Sequence, residues 1–204
     1  MYWCYSEWQK LYDELPGVQC HKGLVDTDSI DPRRPNILVL DDMMNECDQK
    51  VVDWFTKHSN HRNTLVILIT QNLYEKSPCM RTMNLNSSYI VLLKDPREDN
   101  QINFLARQMC PNGKSKFMLD AYLDASSVPY EYLLADLKQT TDDILRLRMG
   151  TFPDERTYTG FSPAWALGRS AHFSNQSAQS ARLVVVTFCL VSLPMRLYLV
   201  SCGL

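Results

Sequence analysis

The run Ile37-Leu38-Val39-Leu40 is apolar at every position and is closed by two carboxylates, Asp41 and Asp42. A strand with one wet face alternates apolar and polar residues, whereas a run without alternation has to be covered on both faces, as in a parallel sheet. Thr64 to Thr70 repeats the pattern with β-branched residues and ends in Gln71-Asn72. Between them, Met44 to Lys57 carries Val51, Val52, Trp54 and Phe55 at helical spacing. Strand, helix and strand in this order predict a parallel βαβ unit. The remaining pattern predicts a strand at Met1 to Tyr5, a helix over Ser6 to Leu15 with Trp8, Leu11 and Leu15 inward, and a short strand at Val18 to His21. A loop follows from Asp26 to Pro35. Further strands are expected at Tyr89 to Leu93 and Tyr130 to Leu137, and helices at Asn100 to Met109 and Ser115 to Asp124. The expected fold class is α/β, with a mainly parallel sheet flanked by helices.

A chain of 204 residues is long enough for one such domain with an appendage. The expected division is a core over 1–154, a linker over 155–180 rich in Ser, Gly, Ala and Gln, and a hydrophobic tail over 181–204. The apolar stretch Leu183 to Leu193 is shorter than the roughly 20 residues of a spanning helix, and Pro194 and Arg196 follow it, so a membrane anchor is not expected. The tail reads instead as a segment foreign to the fold, from an altered reading frame or gene-model boundary. With 21 Lys and Arg against 23 Asp and Glu, no global attraction to nucleic acid or anionic membrane follows, and any DNA contact has to be local. Seven scattered cysteines without a C-x-x-C pair argue against a zinc ribbon and a disulfide framework, and fit a reducing compartment, cytoplasm or nucleus.

Two carboxylates at the end of a buried strand suit a nucleotide hydrolase: Asp41 to hold Mg²⁺ through water, and Asp42 to polarise the water that attacks the γ-phosphate. Two solvated turn carboxylates explain the same pattern. In a parallel sheet the carboxyl ends of neighbouring strands share one edge, which would bring the Gln71 amide, with Asn72 as companion, close enough to sense the γ-phosphate. Arg62, Arg81 and Arg97 stand near turns and are candidates for an arginine finger across a subunit interface, each alternatively a solvated charge. His58 and His61 form H-x-x-H without a third ligand at metal spacing, so zinc is not expected. Arg107, Lys114 and Lys116 form a modest basic cluster for DNA phosphates or for solvent. No G-x-x-x-x-G-K-[ST] occurs; Gly113-Lys114-Ser115 comes after the acidic strand and has Gln108 where the first glycine should stand.

The stretches WCYSEWQKLYDEL, NILVLDDMM, FTKHSNHRNTLVILITQNLY, RTMNLNSSYIVLLKDPRE, INFLARQMCPNGKSKF and YLLADLKQTTDDILRLRMGTFP, spanning Trp3 to Pro153 in this order, resemble the viral genome-packaging ATPases of the FtsK/HerA superfamily. The similarity is to those of Maverick/Polinton elements and adintoviruses, relatives of the poxvirus packaging ATPase. The resemblance implies a partial RecA-like P-loop NTPase core lacking the Walker A βα unit, which such families carry upstream of the strand resembling YWCYSEWQ. It implies ATP and Mg²⁺ as cofactors, double-stranded DNA and a viral capsid portal or vertex as partners, a homo-oligomeric ring, and a nuclear, cytoplasmic or virion-associated location. Asp41 then takes the Mg²⁺-side Walker B role, Asp42 the catalytic acid and Gln71 the sensor, with Asn72 beside it, while the resemblance leaves the finger open among Arg62, Arg81 and Arg97. Lacking the phosphate loop, the chain is expected to be inactive alone. The alternatives are a degenerate, non-hydrolysing subunit or interaction module docking on a complete ATPase ring, and a nuclease or phosphatase using Asp41 and Asp42 directly as metal ligands.

Overall fold

The computed structural model describes residues 1–43, 49–74, 76–94, 99–110, 115–127, 131–149 and 183–187. They divide into two compact units, one formed by residues 1–88 together with the tail strand, the other from Tyr89 onward.

In the first unit the strands are β1 (Tyr2–Tyr5), β2 (Gln19–Lys22), β3 (Asn36–Asp41) and β4 (Thr64–Thr70). They pair in the order β2-β1-β3-β4, and every pairing is parallel. The unbroken apolar runs dictate this arrangement. Leu38, Val39 and Leu40 of β3 and Val66 to Ile69 of β4 are buried, which only a sheet covered on both faces allows. One helical stretch connects them: α1 (Gln49–Asp53) passes through a π-helical turn, Trp54–His58, into α2 (Ser59–His61). Val51, Val52, Trp54 and Phe55 are buried as the spacing predicts. A further helix, α3 (Pro78–Asn86), begins on a proline, which lacks the N–H that a first turn leaves unpaired anyway. It packs on α1 and on the π turn through an apolar side that includes Met80 and Met83.

Two expectations are corrected in this unit. Ser6 to Leu15 does not form a helix with Trp8 inside. Only Lys10–Glu14 winds, as a 3-10 turn, and its tighter period brings Tyr12 and Leu15 into the core while Trp8 remains 53% exposed. The tail is also not foreign to the sheet, since Leu183–Thr187 form a strand that pairs in parallel with β4, Val66 opposite Leu183 through Thr70 opposite Thr187. An apolar strand such as β4 cannot leave one backbone edge unpaired without cost, and a β-branched segment is suited to cover it.

The second unit carries the strands β5 (Tyr89–Leu93), β6 (Tyr132–Asp136) and β7 (Leu147–Arg148), paired antiparallel, so the expected parallel character stops at the first unit. Helices α4 (Asp99–Met109) and α5 (Ser115–Ala125) pack on each other, and α5 lies on β6. The hydroxyl of Tyr122 donates to the Leu93 carbonyl at 3.1 Å. Asp136, buried at the end of β6, is neutralised by Arg148 at 2.7 Å. Among the described residues no helix is long and apolar enough to cross a membrane. Strand β8 (Leu183–Thr187) belongs to the first unit.

Leu68 lies wholly inside the first unit, whereas Leu85 on α3 is exposed. Leu68→Ala is expected to lower the unfolding free energy by about 2 to 5 kcal/mol and Leu85→Ala by less than about 0.5 kcal/mol, read from urea denaturation curves.

Candidate functional site

The register of the parallel pairs lines up the carboxyl ends of β1, β3 and β4, with Tyr5 opposite Asp41 and Asp41 opposite Ile69. This edge brings the sequence candidates Asp41, Asp42, Gln71 and Asn72 together, and they differ sharply in environment.

Asp41 is the last residue of β3 and only 1% exposed. Its Oδ2 accepts a hydrogen bond from the Tyr12 hydroxyl at 3.0 Å. Tyr12 in turn lies in an aromatic cluster with Trp3, Tyr5 and Trp8, at ring-centroid distances of 5.8, 5.0 and 5.4 Å. The 3-10 turn is what carries Tyr12 over the strand end. Sequence reasoning missed this residue, because its hydroxyl has no signal in the spacing of apolar positions. As it stands the Asp41 carboxylate is a structural acceptor, closed to solvent. A water-mediated cation contact there requires the Tyr12 side of the edge to open.

Asp42 turns out of the sheet with φ +53°, a left-handed conformation that aspartate tolerates better than most residues. Its N–H donates to the Ile69 carbonyl at 3.2 Å, and its own carbonyl accepts from the Ser6 hydroxyl at 3.2 Å. The backbone is thus held from β4 and from the loop after β1, while the side chain is exposed. Successive strand residues point to opposite faces, and this left-handed turn sends the second carboxylate into solvent. Of the two acids, Asp42 is the one available to a cation or a water.

Gln71 follows β4 directly, is exposed, and makes no hydrogen bond to another described residue. Asn72 shapes the turn: its Oδ1 accepts from the Tyr74 N–H at 2.9 Å, and its own N–H donates to Thr70 Oγ1 at 3.2 Å. Asn72 is therefore committed to an Asx turn that presents Gln71. Burial pushes the Tyr74 phenol up to about 12.

The arginines lie elsewhere. Arg62 precedes β4, at the opposite edge of the sheet from the carboxylates, where it is paired with Asp28 at 2.7 Å. Six residues of β3 separate the two edges, a distance of roughly 20 Å, so Arg62 and Asp42 of one chain cannot meet. Arg81 is exposed on α3. Arg97 and Lys114, with Gly113, fall outside the described residues, and Arg107 and Lys116 belong to the second unit. His58 stacks edge to face on Trp54 at 5.4 Å, and among the described residues no three His, Cys, Asp or Glu side chains gather as a metal site.

Beside this edge lies a cleft of about 650 Å³, lined at its polar side by Asp26, Thr27, Lys50, Asp53 and His58. The Asp53 carboxyl is held below its ordinary value by the Gln49 side chain first and by Lys57 next. Behind the cleft, the Val25 N–H donates to the sulfur of Cys4 at 3.4 Å. Burial pushes that thiol from 9.0 up to about 11.

Comparison with known proteins gives no match among family models, curated proteins or solved structures.

Two expected outcomes follow from this geometry. Tyr12→Phe removes the donor to a buried carboxylate and should lower the unfolding free energy by about 1 to 3 kcal/mol in urea, while Ser6→Ala should change it by less than about 0.5 kcal/mol. The neutral Cys4 thiol is favoured by the fold, so its contribution is complete below pH 9.0 and is lost as pH rises through about 11. The urea midpoint should fall over that interval, and by less in Cys4→Ala.

Proposed function

We propose that the first unit is the acidic half of a P-loop ATPase core of RecA-like type, from a DNA-packaging motor of the FtsK/HerA superfamily. In this reading Asp42 polarises the attacking water, Asp41 takes the Mg²⁺ side, and Gln71 senses the γ-phosphate. The observation that carries it is the parallel β3–β4 pair, which puts two carboxylates and an exposed amide at one sheet edge, tied by the bond from the Asp42 N–H to the Ile69 carbonyl. The cofactors are ATP and Mg²⁺, and the substrate moved is double-stranded DNA, within a ring of subunits at a capsid vertex. Arg81, exposed on α3, is the better finger candidate for a neighbouring subunit, since Arg62 is engaged by Asp28.

The sequence of 204 residues contains no phosphate loop, so this chain on its own binds Mg-ATP weakly and does not turn it over. A specific observation favours the related reading of a non-hydrolysing subunit in a ring: the Tyr12 hydroxyl occupies the Asp41 carboxylate.

Paramagnetic broadening by Mn-ATP in amide NMR spectra of the full chain tests the assignment even when binding is weak. Broadening is expected at Asp41, Asp42 and Gln71, and should disappear in Asp42→Asn. Broadening centred elsewhere overturns the proposal, as does metal-dependent phosphoester hydrolysis without ATP. Micromolar Mg-ATP affinity with turnover by the isolated chain would show that no phosphate loop is needed and defeat the reading of an incomplete site.

A further inference from the structure

We infer that the cleft between the loop after β2 and the wall formed by α1 with its π turn is a binding site for a free amino acid, an α-ammonium carboxylate with an apolar side chain. Its lining residues all belong to the first unit, and the inference stands apart from the ATPase reading.

The sequence builds both walls locally. Gly23 takes φ +74°, a left-handed conformation open to glycine, and so turns the chain out of β2. Its N–H donates to the Tyr5 carbonyl at 2.9 Å and the Val25 N–H to the Cys4 sulfur at 3.4 Å, which ties the segment Leu24 to Thr27 to β1 at two points. The other wall is α1 and the π turn, closed by the Ser59 N–H on the Trp54 carbonyl. Single π turns within helices are frequent at functional sites. This one carries Trp54 and His58, with ring centroids 5.4 Å apart. The enclosed volume of about 650 Å³ falls within the range of small-molecule sites.

Three kinds of group line the cleft. Val25, Met43 and Val51 are buried and apolar, and suit an apolar side chain. A second set donates. The indole N–H of Trp54 is buried and meets no acceptor among the described residues, a cost that a ligand oxygen would remove. The Thr27 hydroxyl and the His58 imidazole make no hydrogen bond to another described residue. With the Lys50 ammonium, these groups supply what a carboxylate asks for. The third set is acidic, and its two members differ. Asp53 is answered within its own helical stretch, by Gln49 at 2.9 Å and Lys57 at 3.0 Å. Asp26 is exposed and, among the described residues, its carboxylate receives the Asp28 N–H at 3.3 Å and no cation. It is the acceptor for an ammonium group. A cationic ligand would leave the donors unanswered, and an anionic one would leave Asp26 so. A molecule that carries both charges beside an apolar side chain satisfies all three sets. Among the described residues the acids and His58 do not gather as a metal site, so the complement is an organic molecule.

Titration of L-phenylalanine into the isotope-labelled full chain tests this by NMR, with phenethylamine and 3-phenylpropanoate as analogues that lack the carboxylate and the ammonium respectively. The Trp54 indole N–H, assigned through its proximity to the His58 ring, should shift downfield and saturate with a dissociation constant of about 5 mM or below. Each analogue should bind at least about tenfold more weakly. Asp26→Asn keeps an oxygen for the Asp28 N–H and removes the charge. It should weaken phenylalanine and phenethylamine by at least about threefold and leave 3-phenylpropanoate unchanged. Lys50→Gln should weaken phenylalanine and 3-phenylpropanoate and spare phenethylamine. Both side chains are exposed, so neither change should disturb folding. Where one does, the three ligands compared on the parent chain decide. Equal affinity for the three shows an unselective apolar cleft and overturns the inference. Shifts that do not saturate, or that centre on Asp42 and Gln71 instead of the cleft, overturn it as well.

Discussion

Strand β4 is buried from Val66 to Thr70, so its backbone groups have no water to turn to and both of its edges need partners. The rest of the first unit is arranged around that requirement. On one side β3 runs parallel to it over six residue pairs; on the other, β8 crosses the length of the sequence to complete it. The same pairing fixes the edge that carries the candidate site. Because β3 and β4 are parallel and in this register, Asp41 arrives level with Ile69, and the next residue of each strand, Asp42 and Thr70, leads directly into the exposed turn groups.

The edge separates two acids that the sequence presents as a pair. Asp41 is drawn into the protein and capped by a tyrosine hydroxyl, while Asp42 is rotated into solvent by a left-handed residue held at both its N–H and its carbonyl. One carboxylate is thereby a buried hydrogen-bond acceptor and the other is open to solvent. An aromatic cluster links them to the outside: Trp8, half exposed, leans on Tyr12, and Tyr12 donates to Asp41. Any ligand that reaches Asp41 has to disturb this chain of contacts, which couples occupancy of the site to the packing of the loop after β1.

Much of the fold was legible because burial writes itself into sequence as runs and periods. The runs at Ile37 to Leu40 and Thr64 to Thr70 became β3 and β4, and the helical spacing of Val51, Val52, Trp54 and Phe55 became α1 and its π turn. The segment Ser6 to Leu15 misled, because Trp8, Leu11 and Leu15 fit a helical period that a 3-10 turn did not follow. Helix α3 gave little signal, with Met80 and Met83 as its buried apolar residues among polar neighbours. At the site, the shared edge of Asp41, Asp42 and Gln71 followed from parallel topology alone. The partners Tyr12 and Ser6 did not, since hydrogen bonds between residues about thirty positions apart depend on where loops come to rest.

By itself the sequence determined that β3 and β4 are doubly covered parallel strands and that acids and an amide stand at their carboxyl ends, because hydrophobic patterning and strand polarity are local properties of the chain. Only the tertiary structure decided which carboxylate is open, that Arg62 faces the other edge, and that the tail completes β4. Those outcomes depend on the backbone hydrogen bonds and side-chain contacts that distant segments find for one another, and no window of sequence contains both partners.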